Sequence, residues 1–475
     1  LRFKVLSHAG LAVDCHGTQL VCDPWLVGST YWRSWWNYPP VAASTVRSLK
    51  PDFVYLTHIH WDHFQGPSLR KFDPETTILV PDGHDSRMRE DLHQMRFPNV
   101  VELAHGESLE LAPDFKITCY QFGLIPTDSA LVIEGDGTTL LNANDTKLMG
   151  PPLAQVLDRH PRIDFVFRSH SSANSRLCYE ITDDAERSVD DVDRYVRSFT
   201  DFVGRTGARY AIPFASNHCF LHDETYPMND TVQTPAVVKA HFDRQKTLDT
   251  KLQVMVSGDS WSNEGGFEIA EHDYFERRSE HLEEYRLRKK PVLEEYYLKE
   301  ARATIRDQHM QRYFADFFAD LPAPFRLLYR KKPILFVLSA GENRSLYELD
   351  IYRRSVERLE SYRDADYPMQ IHTGTLVMKH CVTSRLLSHL PISKRVRYRT
   401  TARLEGRLKL FNRLINLYEY NVFAIRRLPL RRLLRIARLR WREGLLYAQI
   451  AKDLAFGRGF REERYLGSPR THAHG

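Results

Sequence analysis

The chain has 475 residues, 42% hydrophobic and 27% charged, with a mean hydropathy of −0.46; that length exceeds one ordinary core and suggests two or three packed units of a soluble globular protein. No apolar run approaches the roughly 20 residues that span a bilayer, and Leu1-Arg2-Phe3-Lys4-Val5-Leu6 reads as a strand rather than a signal peptide, although Leu1 is not Met and residues before it stay open. Six cysteines without a C-x-x-C pair argue against a structural zinc or a disulfide framework and for a reducing cytoplasm, while the small net charge of +6 is concentrated in the last hundred residues.

Residues 3–6, 11–13 and 20–22 read as short strands joined by tight turns, followed by Asp23-Pro24-Trp25-Leu26 and an aromatic loop, Val27 to Pro40. That loop either packs over a sheet edge or forms a substrate-facing wall of Trp35 and Trp36 in which Arg33 reads an anionic group. Asp52-Phe53-Val54-Tyr55-Leu56 is short and β-rich enough for a buried strand, and Thr57-His58-Ile59-His60-Trp61-Asp62-His63 leaves it. Alternate residues of an extended turn point the same way, so His58 and His60 can converge on one point while Asp62 and His63 face a second a few ångströms away. This is the pattern of a two-metal site.

Residues 67–72 predict a helix, and 77–80, 100–103, 115–122, 130–134 and 138–142 predict strands, with Gly135-Asp136-Gly137 as a hairpin turn. The alternation suggests two sheets sandwiched between helices. Two isolated imidazoles, His170 and His218, each follow an apolar run, with His222 a weaker third. From Glu268 the composition turns to charged helix, 274–290 and 293–318, with Pro291 between. Strand-like 333–338, 347–352 and 394–399 surround an amphipathic 374–387, a small α+β unit. In the tail, Leu408 to Phe423 is amphipathic, and Arg431, Arg432, Arg435, Arg438 and Arg442 flank a helical stripe of Leu430, Leu433, Leu434, Ala437 and Trp441. Units are expected at 1–265, 266–330, 331–402 and 403–475.

The H-x-H-x-D-H run resembles the metallo-β-lactamase superfamily closely. His8 and Asp23-Pro24-Trp25-Leu26 are similar to the opening of its ascorbate-lactonase-like branch, and the D-P-W-L-x-G segment with Arg33 and Trp35-Trp36 before Pro39-Pro40 narrows the resemblance to the CMP-N-acetylneuraminate hydroxylase family, over roughly residues 3–400 and patchily after 230. The resemblance implies an α/β fold, an αββα sandwich with a C-terminal α+β and helical extension. It implies that Asp23 orients the metal loop without ligating, and that Asp145, in Asn144-Asp145-Thr146, bridges two metals. Most hydrolases of the superfamily offer a histidine between Phe122 and Asn142; here that interval has none, and Asp128 stands where the hydroxylase family also has an aspartate. For the last imidazole His170 and His218 stay open: lactonase-like relatives favour the region of His218, but their histidine would fall at Ala215.

Replacing an imidazole by Asp128 adds negative charge and hard oxygen donors, which favour iron in oxygen chemistry over zinc. The expected function is therefore a binuclear, di-iron oxygenase or hydroxylase. His58, His60 and one of His170 or His218 would hold one metal, Asp62, His63 and Asp128 the other, and Asp145 would bridge. Related hydroxylases carry a Rieske domain, which needs C-x-H and C-x-x-H pairs; Cys219-Phe220-Leu221-His222 is an unpaired C-x-x-H, so electrons would come to O2 from a separate reductase or an upstream segment. The alternative is a two-zinc hydrolase of a lactone, phosphodiester or amide. The substrate is a small molecule, free or bound to a carrier protein; no nucleic-acid module is recognised. The tail either packs on the body or meets an acidic partner: a carrier protein, an anionic lipid surface or a sugar nucleotide.

Overall fold

The computed structural model describes residues 1–123, 128–171, 175–184, 193–245, 249–423, 430–455 and 460–467. Period-two patterning builds its first two sheets. In Phe115–Phe122 the residues Phe115, Ile117 and Cys119 enter the core between the sheets, whereas Tyr120 joins the core under the helices. Asp128–Gly135 does the same, with Leu131 and Ile133 inward and Ala130 and Val132 outward.

One sheet has eight strands, in the order Gly266–Glu268, Ser260–Ser262, Arg2–Val5, Leu11–Cys15, Thr18–Cys22, Phe53–Tyr55, Thr77–Pro81, Val100–Leu103. The other has seven, in the order Lys251–Leu252, Tyr210–Phe214, Phe165–Ser169, Thr138–Asn144, Asp128–Gly135, Phe115–Phe122, Ser108–Ala112. Gly150–Arg159, Asp193–Thr206 and Pro235–Phe242 bury Leu153, Phe199, Phe202 and Phe242 against the second sheet, and Gly66–Leu69 and Arg87–Gln94 bury Leu69 and Leu92 against the first. The result is the expected αββα sandwich. Its hairpin turn needs left-handed backbone at Asp136 (φ 47°) and Gly137 (φ 69°), which an Asp-Gly pair tolerates.

A third sheet runs Tyr179–Ile181, Val396–Thr400, Met369–Gly374, Ile334–Ala340, Asn343–Asp350, Ser355–Leu359. Its edge strand Tyr179–Ile181 comes from within residues 1–265, so the C-terminal α+β region is completed by the first region. The aromatic loop forms the seam. Trp25, Tyr31, Trp32 and Trp35 share one core with Phe314 of Asp307–Asp320, Phe336, Tyr398, and Phe411 of Glu405–Glu419.

The charged helices differ from expectation in where they break. Arg278–Ala301 runs through Pro291, and the next helix begins at Asp307. Proline removes the hydrogen bond to the carbonyl four residues back; that carbonyl belongs to Leu287, 59% exposed, where water can serve it. The tail helix Leu430–Ala455 is anchored to the sandwich by Leu446 and Ile450, which join the core under the second sheet. No helix among the described residues is long and apolar enough to cross a membrane.

Candidate metal centre

The loop after strand Phe53–Tyr55 is held by Asp23, itself fully buried and in left-handed backbone (φ 43°). The Thr57 amide and hydroxyl donate to its carboxylate at 2.8 and 2.7 Å, and His63 Nδ1 lies 2.8 Å from it. This fixes the His63 ring so that Nε2 points into the cluster, 3.4 Å from Asp62 Oδ2 and 3.6 Å from Asp145 Oδ1. His58 Nε2 and His60 Nδ1 converge to 2.8 Å, with Asp145 Oδ2 3.8 Å from His58 Nε2. Asp145 therefore stands between the two imidazole groups.

Asn144 presents it. In left-handed backbone (φ 39°) the Asn144 side chain accepts from the amides of Asp145 and Thr146 at 2.6 and 3.2 Å and donates to the Ser129 carbonyl at 2.9 Å. Ser129 in turn donates from its hydroxyl to the Thr57 carbonyl at 2.7 Å, which pins the start of strand Asp128–Gly135 to the metal loop. Asp128 is thereby brought to the cluster. Burial and then the adjacent Asp145 carboxylate push its carboxyl above the usual range, with His60 the first group to oppose them.

The structure draws the residues into two tight groups, His58 with His60 and Asp145, and His8 with Asp62 and His63. Asp128 stands outside both, and of the charged groups around it Asp145 acts most strongly on its carboxyl, then His60 and then His63. Both candidate last imidazoles lie near His8. His8 itself, from the turn between the first two strands, is the residue that joins Asp62 and His63, with Nε2 3.2 Å from Asp62 Oδ2. Asn37 accepts from the His8 amide at 2.9 Å and donates to the Trp25 carbonyl at 3.0 Å, so the aromatic loop sets this residue's position.

His218 pairs in a short strand with Asn37 and stacks on Trp35, ring centroids 3.9 Å apart and nearly parallel, with His8 at 5.4 Å. Neither of its ring nitrogens has a hydrogen-bond partner among the described residues. His170 is fully buried with only loose approaches to the backbone of Phe214 and Gln233; burial and then His8 pull its pKa down to about 3. His222 faces away and binds Glu300 at 3.0 Å, so the C-x-x-H pair is structural here, and burial pushes the Cys219 thiol up.

Electrostatics fit a cation pair. Burial would raise Asp62, but His63 and His8 outweigh it and hold its carboxyl well below the usual range. His60 is pulled down to about 4 by burial and then His58, so it is neutral and offers a lone pair near pH 7. His63 Nε2 and Asp145 Oδ1, both buried, have no hydrogen-bond partner among the described residues. Three carboxylates and four imidazoles thus crowd one buried place, where uncompensated anionic charge is costly. Two divalent ions, of iron or zinc, suit these donors.

Other contributors had no signal in the sequence. Tyr31 donates to Asp62 Oδ1 at 2.6 Å from a run of left-handed residues, Tyr31, Trp32 and Arg33 (φ 51°, 57° and 64°). Such backbone costs roughly 1–2 kcal/mol per residue, and here it is held by the aromatic seam. His389, from the C-terminal region, sits with its ring 5.6 Å from His60.

Two cavities flank the loop. One of about 290 Å³ is bordered by His8, Trp35, Asp62, Asp145, Arg168 and His218. Its wall includes Glu462 from the tail, which pairs with Arg168 and accepts from the Ser198 hydroxyl at 3.0 Å. The other, about 670 Å³, is lined by Arg33, Trp61, Arg70, Arg87, Tyr296 and His389. Of the three residues expected to meet substrate, Arg33 and Trp35 border cavities. Trp36 borders neither of these two: it packs with Cys219, Leu282 and Tyr285, because its neighbour Trp35 takes the inward side of the strand.

Residues 18–169 match the family model described as a beta-lactamase superfamily domain. The chain is 26% identical over 246 residues to a protein of Mycobacterium tuberculosis (strain H37Rv) named as a Rieske 2Fe-2S iron-sulfur protein, covering 49% of this chain and 46% of that one. It is 26% identical over 151 residues to the cytidine monophosphate-N-acetylneuraminic acid hydroxylase of Cricetulus griseus, 30% of this chain and 27% of that one. Thus the chain spans about half the length, or less, of the curated relatives it matches. Among solved structures it resembles CmlA, a diiron beta-hydroxylase from Streptomyces venezuelae, at 18% identity over 55% of this chain and 53% of that one, with a TM-score of 0.38, too slight a likeness to bear on chemistry. The αββα sandwich and the matched domain together make this an α/β protein of the metallo-β-lactamase fold, similar in sequence to the CMP-N-acetylneuraminate hydroxylases.

Proposed function

We propose that the chain is a metal-dependent enzyme, a di-iron hydroxylase acting on a small molecule, free or carrier-bound. One observation carries the reading: Asp128, a carboxylate in place of an imidazole, begins the strand that the Ser129 hydroxyl pins to the metal loop at the Thr57 carbonyl. Its oxygen donors favour iron over zinc. We assign His58, His60 and Asp128 to one ion, His8, Asp62 and His63 to the other, and Asp145 to both, with His170 and His218 as reserve imidazoles beside His8. Bound iron would supply activation of O2, with electrons from a separate donor.

The protein's part is binding and orientation. Asp23 holds the His63 tautomer through Nδ1, and Tyr31 keeps Asp62 Oδ1 occupied so that Oδ2 faces the site. A cavity of about 290 Å³ admits only the reacting part of a substrate, and most of the side chains that line it are buried. Arg33, on the wider cavity, would receive an anionic group.

A second reading, a two-zinc hydrolase, draws on His8, which enriches its half of the centre in nitrogen donors. Metal analysis after expression without added metal separates the two. About two irons per chain, with an absorption band that changes under O2, is the expected result; zinc alone, with hydrolysis of generic esters or phosphodiesters, would overturn it.

A further inference from the structure

The tail helix Leu430–Ala455 divides its own residues between two tasks. Between Leu430 and Arg442 it carries six arginines and no acidic residue. Three of them turn to the body: Arg432 pairs with Glu102 at 2.7 Å, Arg435 pairs with Asp82, and Arg440 is buried, pairs with Glu443 and donates to the Gly123 carbonyl at 2.9 Å. The other three, Arg431, Arg438 and Arg442, are exposed.

The apolar residues divide in the same way. Leu446 and Ile450 face the core, but Leu430, Leu434, Leu439, Trp441 and Leu445 are 48% to 68% exposed. These five are more than a third of the 14 large apolar side chains exposed among the described residues, gathered on one helix. Isolated exposed leucines are ordinary; a cluster of this kind is not. Leu430 and Leu434 are one turn apart before the non-helical residue Arg440, and Trp441 and Leu445 are one turn apart after it. Exposed arginine lies beside both pairs, and Arg442 stacks on the Trp441 ring at 5.5 Å.

We propose that this face binds the surface of a membrane rich in anionic phospholipid. Leucine and tryptophan would enter the boundary between headgroups and acyl chains, and Arg431, Arg438 and Arg442 would reach sideways to phosphates, as amphipathic interfacial helices do. Leu439, Trp441 and Arg442 also border a cavity of about 590 Å³ against Pro151 and Gln155, whereas Leu430, Leu434 and Leu445 protrude along the helix with arginine beside them. This pairing of apolar and cationic groups matches the acyl chains and phosphates of an anionic lipid surface. The inward arginines make the rod part of the body, so binding would place the whole molecule on the surface. This inference is independent of the reaction proposed above.

The test uses the full chain and sedimentation with vesicles. It should sediment with vesicles of phosphatidylcholine and phosphatidylglycerol in equal parts, not with phosphatidylcholine alone, and added salt should weaken the binding. Leu434→Gln with Leu445→Gln, and separately Arg431→Gln with Arg438→Gln, should each weaken it about tenfold or more; Arg431→Lys with Arg438→Lys should restore most of it. All four positions are exposed, and an unchanged circular dichroism spectrum checks the fold. No sedimentation, equal sedimentation with neutral vesicles, or double variants that bind like the parent would overturn the proposal. So would polyglutamate in solution binding as tightly as the anionic vesicles, which would assign the face to an acidic protein.

Discussion

The half of the centre that holds His58 and His60 takes both imidazoles from one loop, two residues apart, and in the proposed assignment adds the carboxylate of Asp128 from a neighbouring strand. The half that holds Asp62 and His63 instead gathers His8 from the turn after the first strand and keeps His218 stacked on Trp35 close by. Each half thus counts two imidazoles and one carboxylate; what differs is the donor drawn from a remote segment, an oxygen in the first half and a nitrogen in the second. Asp145 stands between them, within 3.8 Å of His58 Nε2 and 3.6 Å of His63 Nε2, so the two halves share a single carboxylate. The difference shows how the same fold can tune two neighbouring positions separately, through residues drawn from different loops.

Removing the shared group should break the comparison altogether. Asp145→Asn is expected to lower the affinity of both positions about a hundredfold or more, seen as loss of nearly all bound metal on dialysis. Removing His8 should touch one half only. His8→Ala should leave close to one tightly held ion per chain and weaken the other by about ten- to a hundredfold, while His170→Ala and His218→Ala should each cost less. Equal losses from all three variants would erase the distinction drawn here.

Asp128→His should sharpen it by leaving the His58 half with imidazoles alone beside the shared Asp145, while Asp62 stays in the other half. Metal content should stay near two per chain while the bound metal shifts from iron towards zinc, measured by elemental analysis after growth with both metals. An unchanged iron to zinc ratio would remove the argument from oxygen donors.

A smaller effect concerns the metal-free protein. Burial and Asp145 raise the Asp128 carboxyl above its ordinary value, so protonated Asp128 favours the fold, and that contribution is lost as pH rises through the folded-state value. At pH 7 the metal-free parent therefore carries an ionised, disfavoured Asp128. Asp128→Asn should stabilise the metal-free protein by about 1–3 kcal/mol at pH 7, a gain that fades below the ordinary carboxylate range, measured by denaturant unfolding at two pH values. The smallest change is Tyr31→Phe, which deletes a hydrogen bond to Asp62; it should cost about 0.5–1.5 kcal/mol in stability, measured by denaturant unfolding, because Asp62 keeps His8 and His63 beside it.

Much of this architecture was readable before any coordinates. The alternation along Phe115–Phe122 and Asp128–Gly135 marked sandwich strands because a pleated strand buries every second residue. His58, His60, Asp62 and His63 were readable as one cluster because a loop of seven residues leaves little freedom in where its side chains converge. Asp23 and Asp145 could be placed beside them by the resemblance of their short surrounding motifs.

What only the tertiary structure decided is which distant residues reach that loop, and from which side. His8, His170, His218 and His389 are each a single imidazole on a separate segment, and their local spacing does not rank them. Their ranking depends on pairings such as His218 with Asn37, on the hydrogen bond from His8 to Asn37, and on a C-terminal region packed against the aromatic loop. The same holds for Asp128, which reaches the site because the Ser129 hydroxyl ties its strand to Thr57, 72 residues away in the chain. Trp36 and Pro291 teach the same lesson, one turned from the cavities by its strand neighbour, the other kept inside a helix whose exposed side water can serve. Local patterns are set by bonded geometry and periodicity, which a sequence carries; the meeting of remote segments is set by the packing of the whole chain.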